Sequence, residues 1–436
     1  MGVIRLKKSV GVLTDVNDND IKLLKKNASK FWKGVSFIGE YAFHSCSSLQ
    51  ELVIPDSVCE IYSHAFYQSK LESVVLPRNI SKINDKTFFS SDKLKEVIIH
   101  DGVKEIGNRA FSFCGDLKSI RLSHTLKKID DYAFMYCKSL NKISLPLSVE
   151  EIGDWAFRDC IKLESIKLTD SIKEIGKEVF SGCWNLKQIN IPSSIKHIGK
   201  NMFKDCYNLE KVMLPENLLD IEDSAFYNCK KLNDIVIPKN TLHIGDSAFY
   251  RCSALENVLL PEGVKKIDRG AFELCCNLKE AVIPGSLDEI EDMVFGNCLK
   301  LTKVKLNEGV KRIASHAFLN CENLVNINIP KSIEYIDSRA FCHSGIEYIN
   351  KFKNGIVRLS DEPINEDAIS LSIYKQKKVF PNHNLVDIVK MKPIELASYV
   401  SIVEYYYKKN ISNIDVDIKK LDDLNVSFAV NGKIRR

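Results

Sequence analysis

The residues of this chain best suited to chemistry are its fourteen cysteines and nine histidines, and their spacing decides what they can do. A thiol beside an imidazole can act as an activated nucleophile; His44 lies two residues from Cys46, and His343 adjoins Cys342. Zinc usually draws on cysteine pairs two to four residues apart, and only the adjacent Cys275-Cys276 comes near that pattern. No P-loop, dinucleotide fingerprint or H-E-x-x-H is present. Eleven cysteines instead share one position of a repeat: Cys46, Cys114, Cys137, Cys160, Cys183, Cys206, Cys229, Cys252, Cys275, Cys298 and Cys321. Ser69, Ser91 and Ser344 take the same place in the other units. Catalytic sites do not recur in this way, so the thiols read as a free-cysteine ladder of small buried hydrophobes, with serine substituting because the site wants something small. Disulfides between neighbouring units would need a dihedral that side chains all pointing the same way supply poorly. Neither a metal nor a cofactor is expected.

The elements that must position these residues follow from the same period. A phenylalanine recurs at 43, 66, 88, 111, 134, 157, 180, 203, 226, 249, 272, 295, 318 and 341, every step being 23 except the step of 22 from Phe66 to Phe88. Each unit reads L-x-x-[IV]-x-[IL]-P-x-x-[IV]-x-x-I-G-x-x-A-F-x-x-C. Ile166-Lys167-Leu168 alternates apolar and polar, the period of a half-buried strand. Ile152, Ala156, Phe157 and Cys160 fall at helical spacing, which predicts a short helical turn, with Trp155 a surface-side neighbour. A unit this short cannot bury both faces alone, so neighbours must stack and place equivalent residues side by side. The fold class expected is an α/β repeat solenoid with one long parallel sheet and short helical turns on the opposite side. Glycine follows the repeat isoleucine in only six units (39, 107, 153, 176, 199 and 245), so a left-handed backbone is not demanded there.

These units resemble the BspA-like class of leucine-rich repeats over residues 35 to 349. The resemblance implies a right-handed leucine-rich-repeat solenoid and a non-enzymatic recognition role, members being commonly surface-associated proteins thought to bind host or matrix proteins or other cells.

Binding would fall on the outward side of the strands, where the central column is not uniform. Met213, Val236, Leu259 and Val282 are consecutive in it, bordered by Pro215, Pro238, Pro261 and Pro284 and flanked by polar units. An apolar stripe with polar borders is how a protein-binding patch looks from sequence, although aliphatic residues also favour strands for their own sake. Val53, Val75 and Ile98 form a second apolar group.

Residues 1–34 are expected to cap the array, with Asp20 as a helix N-cap and Ile21, Leu24, Phe31 and Trp32 as apolar cover. Residues 350–436 read as a C-terminal cap and partly helical tail. Pro393 opens a helix carrying Ile394, Ala397, Val400 and Val403, and a small hairpin turns at Asn431-Gly432. An enzyme or effector seated in that tail, with the repeats as a targeting module, is one rival reading, against which it holds only His383 and no cysteine. A rigid structural spacer is another.

Sixty-two basic against 57 acidic residues leave a net charge of only +5 over 436 residues, so no nucleic-acid partner is expected. No apolar run is long enough to span a membrane. The start "MGVIRLKKSVGVL" lacks the apolar core of a secretory signal, which suits an intracellular chain, whereas the resemblance points to the cell surface; compartment, oligomeric state and the identity of the partner stay open.

Overall fold

The computed structural model describes the backbone of residues 6–7, 11–346 (apart from 45, 234 and 338), 358–359, 428–430 and 433–435, with side chains confined to 11–346. The chain divides into two compact units, Met1–Ile364 and Asn365–Arg436. In the second, Phe428–Val430 and Lys433–Arg435 pair antiparallel with Val430 opposite Lys433, so the hairpin expected about Asn431-Gly432 forms. The helix expected after Pro393, and His383, lie outside the described residues.

The first unit is a parallel-sheet solenoid. Most coils supply a strand of two to four residues from the L-x-x-[IV]-x-[IL] stretch, such as Glu51–Val53, Ser73–Val75, Glu96–Ile98 and Ser119–Arg121, paired parallel and in register. The middle residue points into the core and its neighbours outward, as the alternation requires. Proline ends the strand: the Ile54 N–H reaches the Val75 carbonyl (3.0 Å), Pro55 has no N–H to offer, and the Val58 N–H closes a turn onto the Pro55 carbonyl (3.0 Å).

A second strand column departs from the single sheet expected. It is built from two-residue strands at the repeat isoleucine, among them Lys128–Ile129, Glu151–Ile152 and Glu174–Ile175, again parallel and in register.

The helical turn expected over Ile152–Cys160 is replaced by linked turns. In the preceding coil the Tyr132, Phe134 and Tyr136 N–H groups donate to Asp154, Ala156 and Arg158 carbonyls of the next coil (2.8, 2.8 and 2.9 Å). The Ala133, Met135 and Cys137 N–H groups reach back three residues within their own coil. A helix needs every N–H for its own chain; sending alternate donors to a neighbour rules it out. The path is set by left-handed residues two before and two after the phenylalanine, as at Tyr132 (φ 57°), Tyr136 (φ 60°) and Trp155 (φ 55°). Each left-handed non-glycine residue costs about 1–2 kcal/mol, offset here by the hydrogen bonds between coils. Helices among the described residues are minor: α1 (Asp18–Lys26) and α2 (Ala28–Phe31).

The N-cap of α1 is Asn17 rather than Asp20. The Asn17 side chain accepts from the Asn19 and Asp20 N–H groups (2.9 and 3.3 Å), and the Asp20 carboxylate accepts from the Asn17 N–H (3.0 Å), a reciprocal capping box. Ile21, Leu24, Phe31 and Trp32 are buried, with the Trp32 ring 6.5 Å from that of Phe43.

The core is a set of columns. Thirteen successive phenylalanine pairs, from Phe43–Phe66 to Phe318–Phe341, stack with centroids 4.8–5.9 Å apart and planes within 11°. Glycine after the repeat isoleucine is a matter of space. None of those six glycines has a positive φ, but a Cβ on Gly153 would stand 2.6 Å from the Asp131 N and 2.5 Å from its Oδ1. That Oδ1 accepts the Asp154 N–H at 2.8 Å, tying the coils together. Gly153→Ala is therefore expected to lower stability by about 1–2 kcal/mol through forced displacement, seen as a lower urea midpoint; an unchanged midpoint would show that the coil yields freely.

Candidate protein-binding face

The eleven ladder cysteines are buried, whereas Cys59 is exposed and Cys276 and Cys342 are partly so. None of the fourteen is joined in a disulfide. In ten successive ladder positions from Cys114 to Cys321 the thiol donates to the phenylalanine carbonyl of the preceding coil, Cys137 Sγ to Phe111 O at 3.2 Å and Cys160 Sγ to Phe134 O at 3.2 Å among them. Phe134 O thus accepts both the Cys137 N–H (3.1 Å) and the Cys160 thiol. Serine succeeds at this place for a second reason besides size: Ser91 Oγ makes the same bond, to Phe66 O at 2.7 Å. Burial pushes the Cys46 thiol up to about 11 and the Cys137, Cys183 and Cys229 thiols well above the usual range, so none of these four is held as a thiolate.

The drawn thiol–imidazole pair at Cys46 does not form. Cys46 Sγ donates to Val16 O (3.5 Å), while the His44 Nδ1 lies 3.0 Å from Tyr67 O. Cys275 and Cys276 point apart, the first to Phe249 O and the second to its own turn at Leu274 O. Among the described residues no group of three or more His, Cys, Asp or Glu side chains is placed to hold a metal, and no helix is long and apolar enough to cross a membrane.

The outward side of the first strand column carries the apolar residues singled out by sequence. Val53, Met213, Val236 and Leu259 are 68, 54, 73 and 74% exposed, whereas Val75, Ile98 and Val282 are partly covered. Val53, Val75, Ile98 and Arg121 follow one another in unbroken register. The second stripe is less regular: Asn190 pairs with Met213 and Leu259 with Val282, then Lys305, but the intervening coil with Val236 forms no strand among the described residues. Leaving water-exposed aliphatics of this size in neighbouring coils has no packing benefit for the core.

Two surface features escaped the sequence reading. One is an aromatic strip on the turn side of the early coils. Tyr41 stacks on His64 (4.9 Å), Tyr67 on Phe89 (5.7 Å) and Phe113 on Tyr136 (4.8 Å). Farther on, Trp155 stacks on Tyr132 (4.7 Å) with the Lys177 ammonium over its ring. The signal was there, since these residues flank the repeat phenylalanine at fixed offsets. The other is a run of exposed cations, Arg121, Lys142 and Lys167, on the outward strand face. Many other cations find acids in the adjoining coil, as in Lys95–Glu72 (2.6 Å), Lys173–Glu150 (2.6 Å), Lys187–Glu164 (3.1 Å) and Lys279–Glu256 (2.6 Å).

Stacked coils of this period with an internal leucine, isoleucine and phenylalanine ladder define a leucine-rich-repeat scaffold. The chain belongs to the BspA type leucine rich repeat family, whose pattern matches residues 24–141, 127–256 and 242–363. Among solved structures it is similar to a leucine-rich repeat protein from Bacteroides ovatus ATCC 8483, at 27% identity over 70% of this chain and 82% of that one, with a TM-score of 0.56. It is also similar to a leucine rich cell surface protein from Faecalibacterium prausnitzii A2-165, at 26% identity over 74% of this chain and 93% of that one, with a TM-score of 0.49. No curated protein matches it.

Proposed function

We propose that the array is a non-catalytic scaffold that recognises a protein partner, such as a host, matrix or cell-surface protein, through the open face of the first strand column. Met213, Val236, Leu259 and Val282 form the principal contact, and Val53, Val75 and Ile98 a second. The observation that carries this reading is the exposure of Val236 and Leu259, 73 and 74%, on one strand face, among the few large aliphatics, Leu147 and Val325 being others, that the described coils leave open to water. Aliphatic side chains gathered at the centre of a polar face can be desolvated by a partner, each fully buried one gaining about 1.5–3 kcal/mol. Membership of a repeat family supports a scaffold, and the outward column supports the place of contact. With the full chain immobilised against an extract of matrix and cell-surface proteins, the double substitution Val236→Asp/Leu259→Asp should reduce retained partner by at least about tenfold. The same variant should unfold within about 2 °C of the unaltered chain, because surface changes cost little. Retention that survives both charges would show the stripe to be idle.

A further inference from the structure

We propose that the partner segment is acidic as well as apolar: a carboxylate-rich stretch of polypeptide lies over Arg121, Lys142 and Lys167 and continues onto the stripe beginning at Met213. This rests on the reading of the strand face as the contact surface and adds the chemistry of what it takes. Three observations carry it.

The first is a pairing habit seen in many coils that these three cations do not share. Equivalent positions 22 or 23 residues apart neutralise one another along the coils, Lys70–Asp92 (2.9 Å) and Lys187–Glu164 (3.1 Å) being examples. Arg121, Lys142 and Lys167 are exposed, and among the described residues none of the three forms an ion pair. Coils stack at about 4.8 Å, so Arg121 and Lys167, two coils apart, stand on the order of 10 Å from each other, about one Debye length at roughly 0.1 M salt. Like charges held this close on one face favour an anionic visitor.

The second is what separates them. From Ser119 to Met213 the outward positions of the first strand column carry no carboxylate; serines and amides, such as Ser144, Ser165 and Asn190, fill the gaps. These can donate hydrogen bonds to carboxylates without competing for the cations.

The third is continuity. Asn190 pairs in register with Met213, so the cationic stretch runs straight into the apolar one. From Arg121 to Val282 is seven coils, roughly 34 Å, the length of about ten extended residues. Among the described residues no aromatic stands at the outward positions of the first strand column, which leaves a nucleobase or sugar ring nothing to stack upon there. A polypeptide with neighbouring acidic and aliphatic side chains matches both halves of the face.

The test uses the full chain and a fluorescein-labelled twelve-residue oligoglutamate, read by anisotropy at low salt. Binding should weaken with added salt and fall at least about tenfold in Arg121→Gln/Lys142→Gln/Lys167→Gln, whose thermal midpoint should match that of the unaltered chain. Val236→Ser/Leu259→Ser should bind oligoglutamate within about twofold of normal, so that failure of the apolar stripe is told apart from failure of the cationic face. Absence of binding by the unaltered chain, or binding indifferent to the triple substitution, overturns the proposal. So does a heparin oligosaccharide or an oligouridine that binds more tightly than oligoglutamate and is lost in the same variant.

Discussion

Phe157→Ala is expected to destabilise the array by about 3–5 kcal/mol, the cost of emptying a buried phenylalanine site. The ring is fully buried between those of Phe134 and Phe180, 5.3 and 5.9 Å away. In a stacked array each coil contacts only its neighbours, so stability is a sum of coil and interface terms. The loss should therefore stay local. Amide exchange should quicken in the coils around Phe134, Phe157 and Phe180 while those near Phe249 and Phe272 keep their protection, and the urea transition should broaden or split in two. The same change at Phe341, 8% exposed in the last described coil, should cost less. A Phe157→Ala variant with unaltered exchange in its own coil would mean that the column is not what binds the coils together.

The second large effect is a pH dependence traceable to Glu273. This carboxyl follows Phe272 on the chain, and burial pushes it up to about 7 from 4.5, against the Asn297 side chain that donates to it at 3.3 Å and the nearby Arg269 and Arg251. Because the folded value lies above the unfolded one, the native state holds the extra proton between them. The associated stability is complete below about 4.5 and is lost as pH rises through about 7. The difference of 2.5, from 7 minus 4.5, corresponds to roughly 3 kcal/mol at most. Glu273→Gln keeps the volume and the bond from Asn297 but cannot ionise. Its urea midpoint should exceed that of the unaltered chain at pH 8 and match it at pH 4; parallel midpoints across that range would contradict the assignment.

The phenylalanine, leucine and cysteine ladders were legible because a fixed period needs no knowledge of conformation: residues that recur must stack. The second strand column was not, since two residues such as Glu151-Ile152 cannot display an alternation. The turns around Ala156-Phe157 imitate helical spacing, and their left-handed positions gave no warning, being occupied by Tyr132, Trp155 and Glu178 rather than by glycine. Asn17 and Asp20 are each plausible caps in sequence, and only the reciprocal hydrogen bonds show which begins the helix. At the candidate face, aliphatic side chains were visible as a column, but Arg121, Lys142 and Lys167 were hidden in a net charge of +5. Their significance comes from which cations find an acid in the next coil, a property of stacking rather than composition.

The central claim is that rings 23 residues apart lie against one another from end to end of the array. Nuclear Overhauser spectra of the full chain with protonated phenylalanine rings in a deuterated background test it most directly. The account predicts an unbroken chain of ring-to-ring contacts linking Phe134 to Phe157 and Phe157 to Phe180, at the 5.3 and 5.9 Å centroid distances of the structure, and so on to Phe341. Well-resolved rings with no contact between those three would contradict it.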